Sequence, residues 1–328
     1  ALCEFFDSNL ILYEPYYFKL KEYFEDKKSI DILDIKNQSM ILENSKPIIN
    51  KHGIALGMFI EYKDTSIFIM PGVPREMRSM MFKTILPKYI EPNFNKSLKH
   101  ITILTTGIYE NKLFNILKDI IGVNKKNYKV AFLPDYTGVK IRLSDLNNDK
   151  KLFLEFKNKV ISKIDKYVYG FDNDKIENNI ARIIKKKKYT LSIAESCTGG
   201  LISKKITDIE GSSSFYKGSI VAYDNSIKIN ELSISESIID NKGAVSQEVA
   251  LAMALNIKNK FKTDIGIATT GISGPGGGSN EKPVGLIYIA VSFKKHNICK
   301  KFNLIPDRDL HRKIATHTAL NMLRYILK

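Results

Sequence analysis

The second half of the chain alternates between short apolar runs and amphipathic stretches. Apolar runs typical of strands occur at four places: 190–194, 219–223, 265–270 and 284–293. Apolar residues recur every three to four positions, as in helices that face a core, over three stretches: 176–184, 246–261 and 307–328. Strands that alternate with helices in this way predict an α/β domain over residues 175–328.

The first half of the chain carries a weaker pattern and predicts two further segments. Residues 1–93 begin with helical periodicity, pass through an irregular stretch, and reach a strand at 65–70 that is followed by a turn into a helix. Residues 98–172 alternate strand, helix, hairpin and helix, which predicts a small α+β module. A polar stretch at 170–174 is typical of a linker.

Composition narrows the class of protein. The chain of 328 residues is 44% hydrophobic and 26% charged, which is ordinary for a folded protein. No apolar run approaches the ~20 residues that a membrane span needs, and the first residues lack the basic and apolar regions of a signal peptide. Three scattered cysteines argue against a disulfide scaffold or a cysteine-rich zinc site. These features predict a cytoplasmic protein, and the missing initiator Met indicates a chain that begins inside a longer one.

The charge balance bears on the ligand. The net charge is +16, and residues 175–328 alone hold 24 basic and 13 acidic side chains. A basic balance suits nucleic acid, anionic lipid or a phosphorylated small molecule. The same balance also follows from a lysine-rich composition that only covers the surface, because the lysines are scattered along the chain.

Ser196 stands where a predicted strand turns into a helix. Gly199 and Gly200 follow it, and backbone N–H groups at a helix start can hold a phosphate or a developing oxyanion. The alternative is a helix-capping serine with glycines for close packing. A nucleophilic serine needs a base, and none of the five histidines has a convincing position. Lys228 is the candidate, because burial can lower the pKa of a lysine, although a lone lysine is more often a surface residue.

Two more polar segments are candidate ligand contacts. The glycine-rich stretch 271–278 would let backbone approach a ligand closely, or it is simply a flexible hairpin loop. Arg308 and Arg312 lie one helical turn apart, so two guanidinium groups can clamp a phosphate; alternatively, they belong to a salt-bridged surface helix. Taken singly, each of these patterns is weak.

Taken together, the segments resemble a known family. In order along the chain, the motifs are Ala194-Glu195-Ser196-Cys197-Thr198-Gly199-Gly200, Gly211-Ser212-Ser213, Tyr223 with Asn225 and Lys228, Gly243-Ala244-Val245-Ser246, Thr270-Gly271-Ile272-Ser273-Gly274-Pro275 and Glu281-Lys282-Pro283-Val284-Gly285. Their order and spacing resemble the C-terminal domain of the CinA family over residues 175–328. The resemblance implies a nicotinamide-nucleotide amidase, a serine/lysine hydrolase that converts nicotinamide mononucleotide to nicotinic acid mononucleotide and ammonia.

The residue patterns and the resemblance together assign roles. Ser196 is the expected nucleophile, and Ser212 and Ser213 are the alternatives. Lys228 is expected to accept the proton of the nucleophile, and Tyr223 to hydrogen-bond to one of the two. Backbone N–H groups near Thr198 and Gly199 would stabilise the oxyanion. The expected substrate-binding residues are Thr198, Gly199, Gly200, Ser212, Ser213, Asn225, Gly271, Gly274, Arg308 and Arg312. No metal or other cofactor is expected for this domain.

The resemblance extends upstream of residue 175. The matching residues are Asn50, Gly53, Ala55, Gly57, Pro71-Gly72-Val73-Pro74-Arg75-Glu76-Met77 and, in the middle module, Ala131-Phe132-Leu133-Pro134. The first group looks like the end of the molybdopterin-binding-like N-terminal domain of the family, whose first half is missing here. Leu56 also stands where the family usually has Pro. In full-length relatives this domain is linked to ADP-ribose pyrophosphatase activity, so a divalent metal is expected only if the truncated domain were active.

We therefore expect an α/β protein in three parts. These are a truncated molybdopterin-binding-like domain at 1–93, a small α+β linker module at 98–172 and a three-layer α/β amidase domain at 175–328. Two alternatives stay open: a nucleic-acid-associated, competence- or damage-related protein, and a noncatalytic remnant that only binds nucleotide. Against the first, no stacking-aromatic motif is visible and Trp is absent. The expected partners are a small nucleotide substrate and a second copy of the chain, because relatives form dimers; we expect neither nucleic acid nor a membrane.

Overall fold

The structure, a computed structural model, describes residues 1–24, 32–93 and 99–328. The chain divides into two compact units, Ala1–Ser97 and Leu98–Lys328. The predicted α/β class is confirmed, because helices and strands are combined in both units. None of the described helices is long and apolar enough to cross a membrane.

The first unit is built from short helices and two small antiparallel sheets. Its elements are α1 (Leu2–Phe6), β1 (Leu10–Leu12), α2 (Glu14–Phe24), α3 (Ile32–Gln38), β2 (Met40–Leu42), β3 (Lys46–Ile48), β4 (Gly57–Tyr62), β5 (Thr65–Ile69), α4 (Pro74–Met80) and a π-helix (Met81–Ile90). Strand β1 pairs with β2, and β4 pairs with both β3 and β5. The predicted strand and the turn into a helix are present as β5 and α4. The stretch predicted to be irregular contains α3 and the strands β2, β3 and β4. Strands β2 and β3 are too short for a visible alternation of apolar and polar residues.

The second unit begins with a four-stranded sheet that carries two helices. Its elements are β6 (His100–Thr105), α5 (Glu110–Asn124), β7 (Tyr128–Asp135), β8 (Gly138–Asp145), α6 (Lys150–Ile164) and β9 (Val168–Phe171). The strands lie in the order β7-β8-β6-β9, and all three pairs are antiparallel. This is the ferredoxin-like arrangement. Ile103, Ile141 and Leu143 form its core with Phe156 and Val160 of α6.

Residues 170–174, predicted to be a linker, are instead tied to this ferredoxin-like module. Strand β9 extends to Phe171. The Asp172 N–H donates to the Thr102 carbonyl (2.7 Å), and the Thr102 N–H donates to the Asp172 carboxylate (2.8 Å). The polar residues of this stretch therefore serve as hydrogen-bond partners of the sheet.

The rest of the second unit is a three-layer α/β domain, as predicted. Its elements are α7 (Ile176–Lys187), β10 (Leu191–Glu195), α8 (Leu201–Thr207), β11 (Tyr216–Val221), α9 (Asn225–Leu232), α10 (Glu236–Lys242), α11 (Gln247–Lys260), β12 (Ile265–Gly271), β13 (Leu286–Phe293), β14 (His296–Asn303) and α12 (Arg308–Leu327). The sheet order is β11-β10-β12-β13-β14. Strands β10, β11 and β12 are parallel, whereas β13 and β14 are antiparallel to their neighbours. Helices α7, α8 and α12 pack on one face, and α9, α10 and α11 pack on the other.

A row of small residues lies between the sheet and α11. Ala194, Ala268 and Ala290 are aligned across β10, β12 and β13, and they belong to the core on the α11 side. A Cβ atom at Gly266 would lie 2.1 Å from the backbone oxygen of Ala254 in α11. The larger aliphatic side chains of the same strands point to the other face. The helix can therefore approach the sheet closely on the alanine side.

Helix α12 joins this domain to the ferredoxin-like module. Arg324 is fully buried and donates to the carbonyls of Lys166 (2.9 Å) and Val168 (3.0 Å). It also bonds to the Asn321 side chain. The apolar face predicted for α12 is therefore the side that contacts the sheet. The other side of the helix buries polar residues against the ferredoxin-like module.

The hydrophobic pattern does not reveal α9, α10 or β14. Helix α9 begins with Asp224-Asn225-Ser226, which is also typical of a turn. Strand β14 is an edge strand whose side chains are mostly exposed and include several lysines. Neither α9 nor β14 shows the apolar periodicity on which the sequence prediction rests, and α10 is only seven residues long.

Candidate active site at the carboxyl ends of three parallel strands

A cavity of about 190 Å³ lies where the chain leaves β10, β11 and β12. Its lining residues are Ser196, Cys197, Tyr223, Asn225, Lys228, Ala244, Val245, Thr270, Gly271, Ser273 and Arg308. In open α/β sheets, ligands bind at this edge, beyond the carboxyl ends of the parallel strands. The structure thus brings together six of the predicted site residues: Ser196, Tyr223, Asn225, Lys228, Gly271 and Arg308.

Ser196 is the first residue after β10. Its N–H donates to the Thr269 carbonyl (3.0 Å), and its own carbonyl accepts from the Gly199 N–H (3.1 Å), which closes a tight turn. Gly199 and Gly200 have φ values of 58° and 89°, in the region that favours glycine. The predicted strand-to-helix turn is present, but α8 begins at Leu201, after both glycines. The turn places the nearly buried Ser196 in the cavity wall.

The start of α8 is occupied by Glu195, the last residue of β10. The buried Glu195 carboxylate accepts from the backbone N–H groups of Ile202 (3.1 Å) and Ser203 (2.8 Å), and from the Ser203 hydroxyl. A carboxylate in this position satisfies the free N–H groups of the helix start and its dipole. These groups are therefore not available to a substrate anion, contrary to the sequence-based expectation. The Gly199 N–H is likewise engaged, with the Ser196 carbonyl.

Lys228 lies on α9. Asp224 caps this helix through a bond from the Ser226 N–H (2.8 Å). The Lys228 side chain folds back so that Nζ donates to the Tyr223 carbonyl (3.0 Å) and to the Asp224 carbonyl (3.5 Å). Lys228 is 2% exposed, and burial lowers its pKa below the ordinary 10.5, while the Asp224 charge partly opposes this. Such an amine gives up its proton more easily than a surface lysine.

Tyr223 and Arg308 form the exposed mouth of the cavity. The Tyr223 hydroxyl accepts from Arg308 Nη2 (3.1 Å), and Arg308 Nη1 donates to the Gly274 carbonyl (2.9 Å). The Tyr223 hydroxyl is thus bonded to Arg308 and not to Ser196 or Lys228. A guanidinium group has five N–H donors, so Arg308 retains donors for an anionic ligand.

Arg312 supports the serine turn and does not line the cavity. Its Nε (3.3 Å) and Nη2 (3.0 Å) donate to the Thr198 carbonyl. The Thr198 hydroxyl in turn bonds to Thr269 in the buried core (2.8 Å). The predicted pair of phosphate-clamping arginines is therefore divided, because Arg308 faces the cavity whereas Arg312 holds the turn.

The remaining predicted residues lie outside the cavity lining. Those that flank it or bond to its lining are Thr198, Gly199, Gly200 and Gly274. Ser212 and Ser213 lie in a 3₁₀ turn that precedes β11. Because β10 and β11 are parallel, the amino end of β11 is at the sheet edge opposite Ser196. Neither serine therefore lines this cavity, whereas Ser196 does.

Comparison with known proteins identifies the family. Residues 173–327 match the family described as CinA C-terminal domain. A CinA-like protein of Dictyoglomus thermophilum is 37% identical over 328 residues, which cover 98% of this chain and 79% of that protein. The chain belongs to the CinA family. A CinA-like protein of Amoebophilus asiaticus is 40% identical over 280 residues, covering 84% of this chain and 67% of that protein. Among solved structures, the competence/damage inducible protein CihA from Agrobacterium tumefaciens is 34% identical in sequence. The match covers 47% of this chain and 98% of the CihA chain, with a TM-score of 0.45.

The cavity of this CinA-family chain is also lined by residues for which no role was predicted from the sequence. They are Cys197, Ala244, Val245, Thr270 and Ser273. Burial raises the pKa of the Cys197 thiol to about 12, so the thiol stays protonated. The Ser273 hydroxyl bonds to Nδ1 of the buried His311 (2.8 Å). The Thr270-Gly271-Ile272-Ser273 motif could have pointed to Ser273, whereas nothing around His311 in the sequence marks it.

The chemical groups around the cavity suit proton transfer and hydrogen bonding to a polar organic ligand. They include the hydroxyl of Ser196, the amine of Lys228, the amide of Asn225 and the guanidinium of Arg308. Within residues 1–24, 32–93 and 99–328, no group of three or more His, Cys, Asp or Glu side chains is arranged to hold a metal ion. The expectation that this domain works without a cofactor stays a prediction.

Proposed function

We propose that the C-terminal domain hydrolyses the carboxamide of nicotinamide mononucleotide to nicotinic acid mononucleotide and ammonia. The observation that carries the proposal is that Ser196 and Lys228 line one cavity and that burial lowers the pKa of the lysine. A serine hydroxyl near an amine that can be neutral forms a nucleophile with its base. Membership of the CinA family, whose motifs implied this activity, is consistent with it.

The size of the cavity supports a substrate with one ring inside and a charged part outside. An engineered protein cavity of ~150 Å³ binds benzene, and the present cavity of about 190 Å³ is slightly larger. A pyridine ring with its carboxamide would therefore enter, and the ribose phosphate would extend beyond the mouth. Arg308 lies at that mouth with unused N–H donors for a phosphate.

In the proposed acylation step, the Ser196 oxygen attacks the carboxamide carbon as its proton passes to neutral Lys228. The carbonyl electron pair moves to oxygen and gives a tetrahedral intermediate. This intermediate collapses as the Lys228 ammonium returns the proton to the leaving nitrogen. The C–N bond breaks, ammonia departs, and an ester of Ser196 remains.

In the proposed deacylation step, water attacks the ester carbon and transfers a proton to Lys228. The ester C–O bond breaks, Ser196 regains its proton from Lys228, and the carboxylic acid is released. Of the two backbone N–H groups expected to stabilise the oxyanion, that of Gly199 is engaged with Ser196. The Thr198 N–H is directed at the Cys197 thiol, which is a weak acceptor, and it is the donor retained in the proposal.

An ammonia-release assay on nicotinamide mononucleotide tests the proposal. We expect turnover by the unmodified chain and its abolition in Ser196→Ala, with nucleotide binding still measurable by calorimetry. Ser212→Ala and Ser213→Ala are matched controls, since they remove the same group at the opposite sheet edge, and each should keep its rate within about twofold. Full turnover by Ser196→Ala would show that the nucleophile is assigned wrongly.

Two other results would favour the alternative functions. Nucleotide binding by the unmodified chain without any turnover would favour a noncatalytic nucleotide-binding protein. A gel shift with DNA, run beside the ammonia assay, addresses nucleic-acid association. Binding to DNA that weakens steeply with salt would favour that function.

A further inference from the structure

Ser273 carries a hydroxyl in the cavity wall that the proposed mechanism does not use. It follows β12, lines the cavity with Ser196 and is 5% exposed. Its hydroxyl bonds to Nδ1 of His311 at 2.8 Å, and His311 is fully buried in α12. A hydroxyl and an imidazole that are both buried and bonded to each other form a fixed pair.

The backbone on both sides of Ser273 is also fixed. The N–H of Ile272 donates to the Leu286 carbonyl (2.8 Å), which ties the preceding residue to β13. The carbonyl of Gly274 accepts from Arg308 (2.9 Å), which ties the following residue to α12. The backbone and hydroxyl of Ser273 are therefore held in one orientation at the cavity wall, as a preorganised binding group requires.

The tautomer of His311 determines which partner donates in the Ser273–His311 bond. Burial lowers the pKa of His311, so the ring is neutral at pH 7, while the backbone of Gly285 opposes this and favours a protonated nitrogen. Within the described residues, Nε2 has no regular hydrogen-bond partner, and Nδ1 is the nitrogen that Ser273 reaches. A neutral ring whose proton is on Nε2 has Nδ1 as its acceptor, and Ser273 is then the donor.

We propose that Ser273 is a substrate-binding residue that selects a carboxamide, and that His311 is the positioning residue that fixes it. With its proton directed to His311, the Ser273 oxygen offers lone pairs to the cavity and can only accept. A carboxamide NH₂ carries two donors, whereas a carboxylate carries acceptors only. This inference rests on the proposed function and refines it, because the same oxygen would favour the amide substrate and disfavour the acid product.

Binding measurements on a protein that does not turn over provide the test. In the Ser196→Ala background, calorimetric titration gives the Kd of nicotinamide mononucleotide and of nicotinic acid mononucleotide. Adding Ser273→Ala should weaken binding of the amide about five- to tenfold, as expected for one lost hydrogen bond, and leave the acid unchanged or bound more tightly. Ser279→Ala, an exposed serine of the same loop, is the matched control and should change neither Kd.

Two substitutions of His311 test its role as the positioning residue. Asn places a carbonyl oxygen near the position of Nδ1, so His311→Asn should preserve most of the preference for the amide. His311→Leu removes the acceptor and frees the Ser273 hydroxyl to rotate, so the preference should fall. Thermal unfolding of each variant establishes that it is folded, and the Ser273→Ala result does not depend on the His311 variants.

Equal weakening of both nucleotides by Ser273→Ala would overturn the inference, since it would reduce Ser273 to a shape-forming residue. An unchanged Kd for the amide would overturn it as well. Failure of the proposed function appears in a different measurement, the absence of Ser196-dependent ammonia release. An enzyme that releases ammonia but shows no Ser273-dependent preference would thus retain the function and lose only this inference.

Discussion

Lys228 and Arg324 are buried cations in two regions of the second unit, and they face similar physical conditions. Lys228 is at the candidate active site, and Arg324 is at the junction between α12 and the ferredoxin-like module. Each donates to two backbone carbonyls, and burial lowers the pKa of each. The cost of removing a positive charge from water is therefore present at both places.

The two side chains respond to that cost in different ways. A lysine amine can release its proton and become a neutral base, whereas a guanidinium group stays charged in proteins. Burial consequently suits Lys228 to the proposed role of base, while Arg324 remains a permanent donor that connects two parts of the fold. Similar surroundings therefore do not distinguish a base from a structural residue, whereas the identity of the side chain does.

The largest expected effect is a loss of activity when Lys228 is replaced by arginine, which does not lose its proton in proteins. Lys228→Arg keeps a positive charge but removes the proposed base, so ammonia release should fall about 10³-fold. Steady-state assays on nicotinamide mononucleotide measure this, and Lys217→Arg, at an exposed position of β11, is the control. A Lys228→Arg variant that keeps more than a tenth of the normal rate would contradict the proposed role of Lys228 as the base.

A smaller effect is expected at the junction, on stability instead of activity. Arg324→Met leaves the carbonyls of Lys166 and Val168 without their donor, so the free energy of unfolding should fall by about 3 kcal/mol. Urea unfolding followed by circular dichroism measures this loss, and Arg324→Lys, which can keep one bond, should lose less. The ammonia rate per folded molecule should be unchanged, because Arg324 is outside the cavity. A large change in the ammonia rate would instead show that the junction around Arg324 influences the candidate active site.

The smallest expected effect is a change in how stability depends on pH when the amine of Lys228 is removed. The unfolded chain keeps the Lys228 proton up to pH 10.5, whereas the folded chain releases it at lower pH, so stability rises with pH between the two pKa values. Lys228→Met removes the titrating amine together with its bonds to the Tyr223 and Asp224 carbonyls, so the free energy of unfolding of this variant should lack the rise with pH. The difference between the two proteins should therefore shift in favour of the unmodified chain as the pH approaches 10.5. Urea unfolding at several pH values measures it, and a gap that does not depend on pH would argue against a buried charge.

Much of the C-terminal domain could be predicted from the sequence, because its strands are apolar runs and its helices are periodic. The turn around Ser196 was predicted because glycines follow a strand there. The position of Lys228 on a helix was not, since Asp224-Asn225-Ser226 fits a turn as well as a helix cap. Whether such a cap continues into a helix depends on packing against α11, which a local pattern does not contain.

Long-range contacts account for the other differences. Ser212 and Ser213 belong to the same motif set as Ser196, yet the parallel pairing of β10 and β11 places them at opposite edges. Arg312 and Arg308 share a helix face, but Gly199 leaves room beside the turn where Arg312 reaches the Thr198 carbonyl. His311 and Arg324 are buried because α12 contacts the sheet and the module at once. None of these outcomes is encoded within one window of sequence.

The aligned alanines beneath α11 have a consequence for how this layer can change over time. Ala194, Ala268 and Ala290 share one contact surface, so a bulkier residue at one of them displaces the helix from the other two. A substitution that is harmful alone becomes acceptable when a neighbour changes to compensate. Substitutions at the three positions are therefore coupled. Homologous proteins that differ at one of these positions should also differ at another.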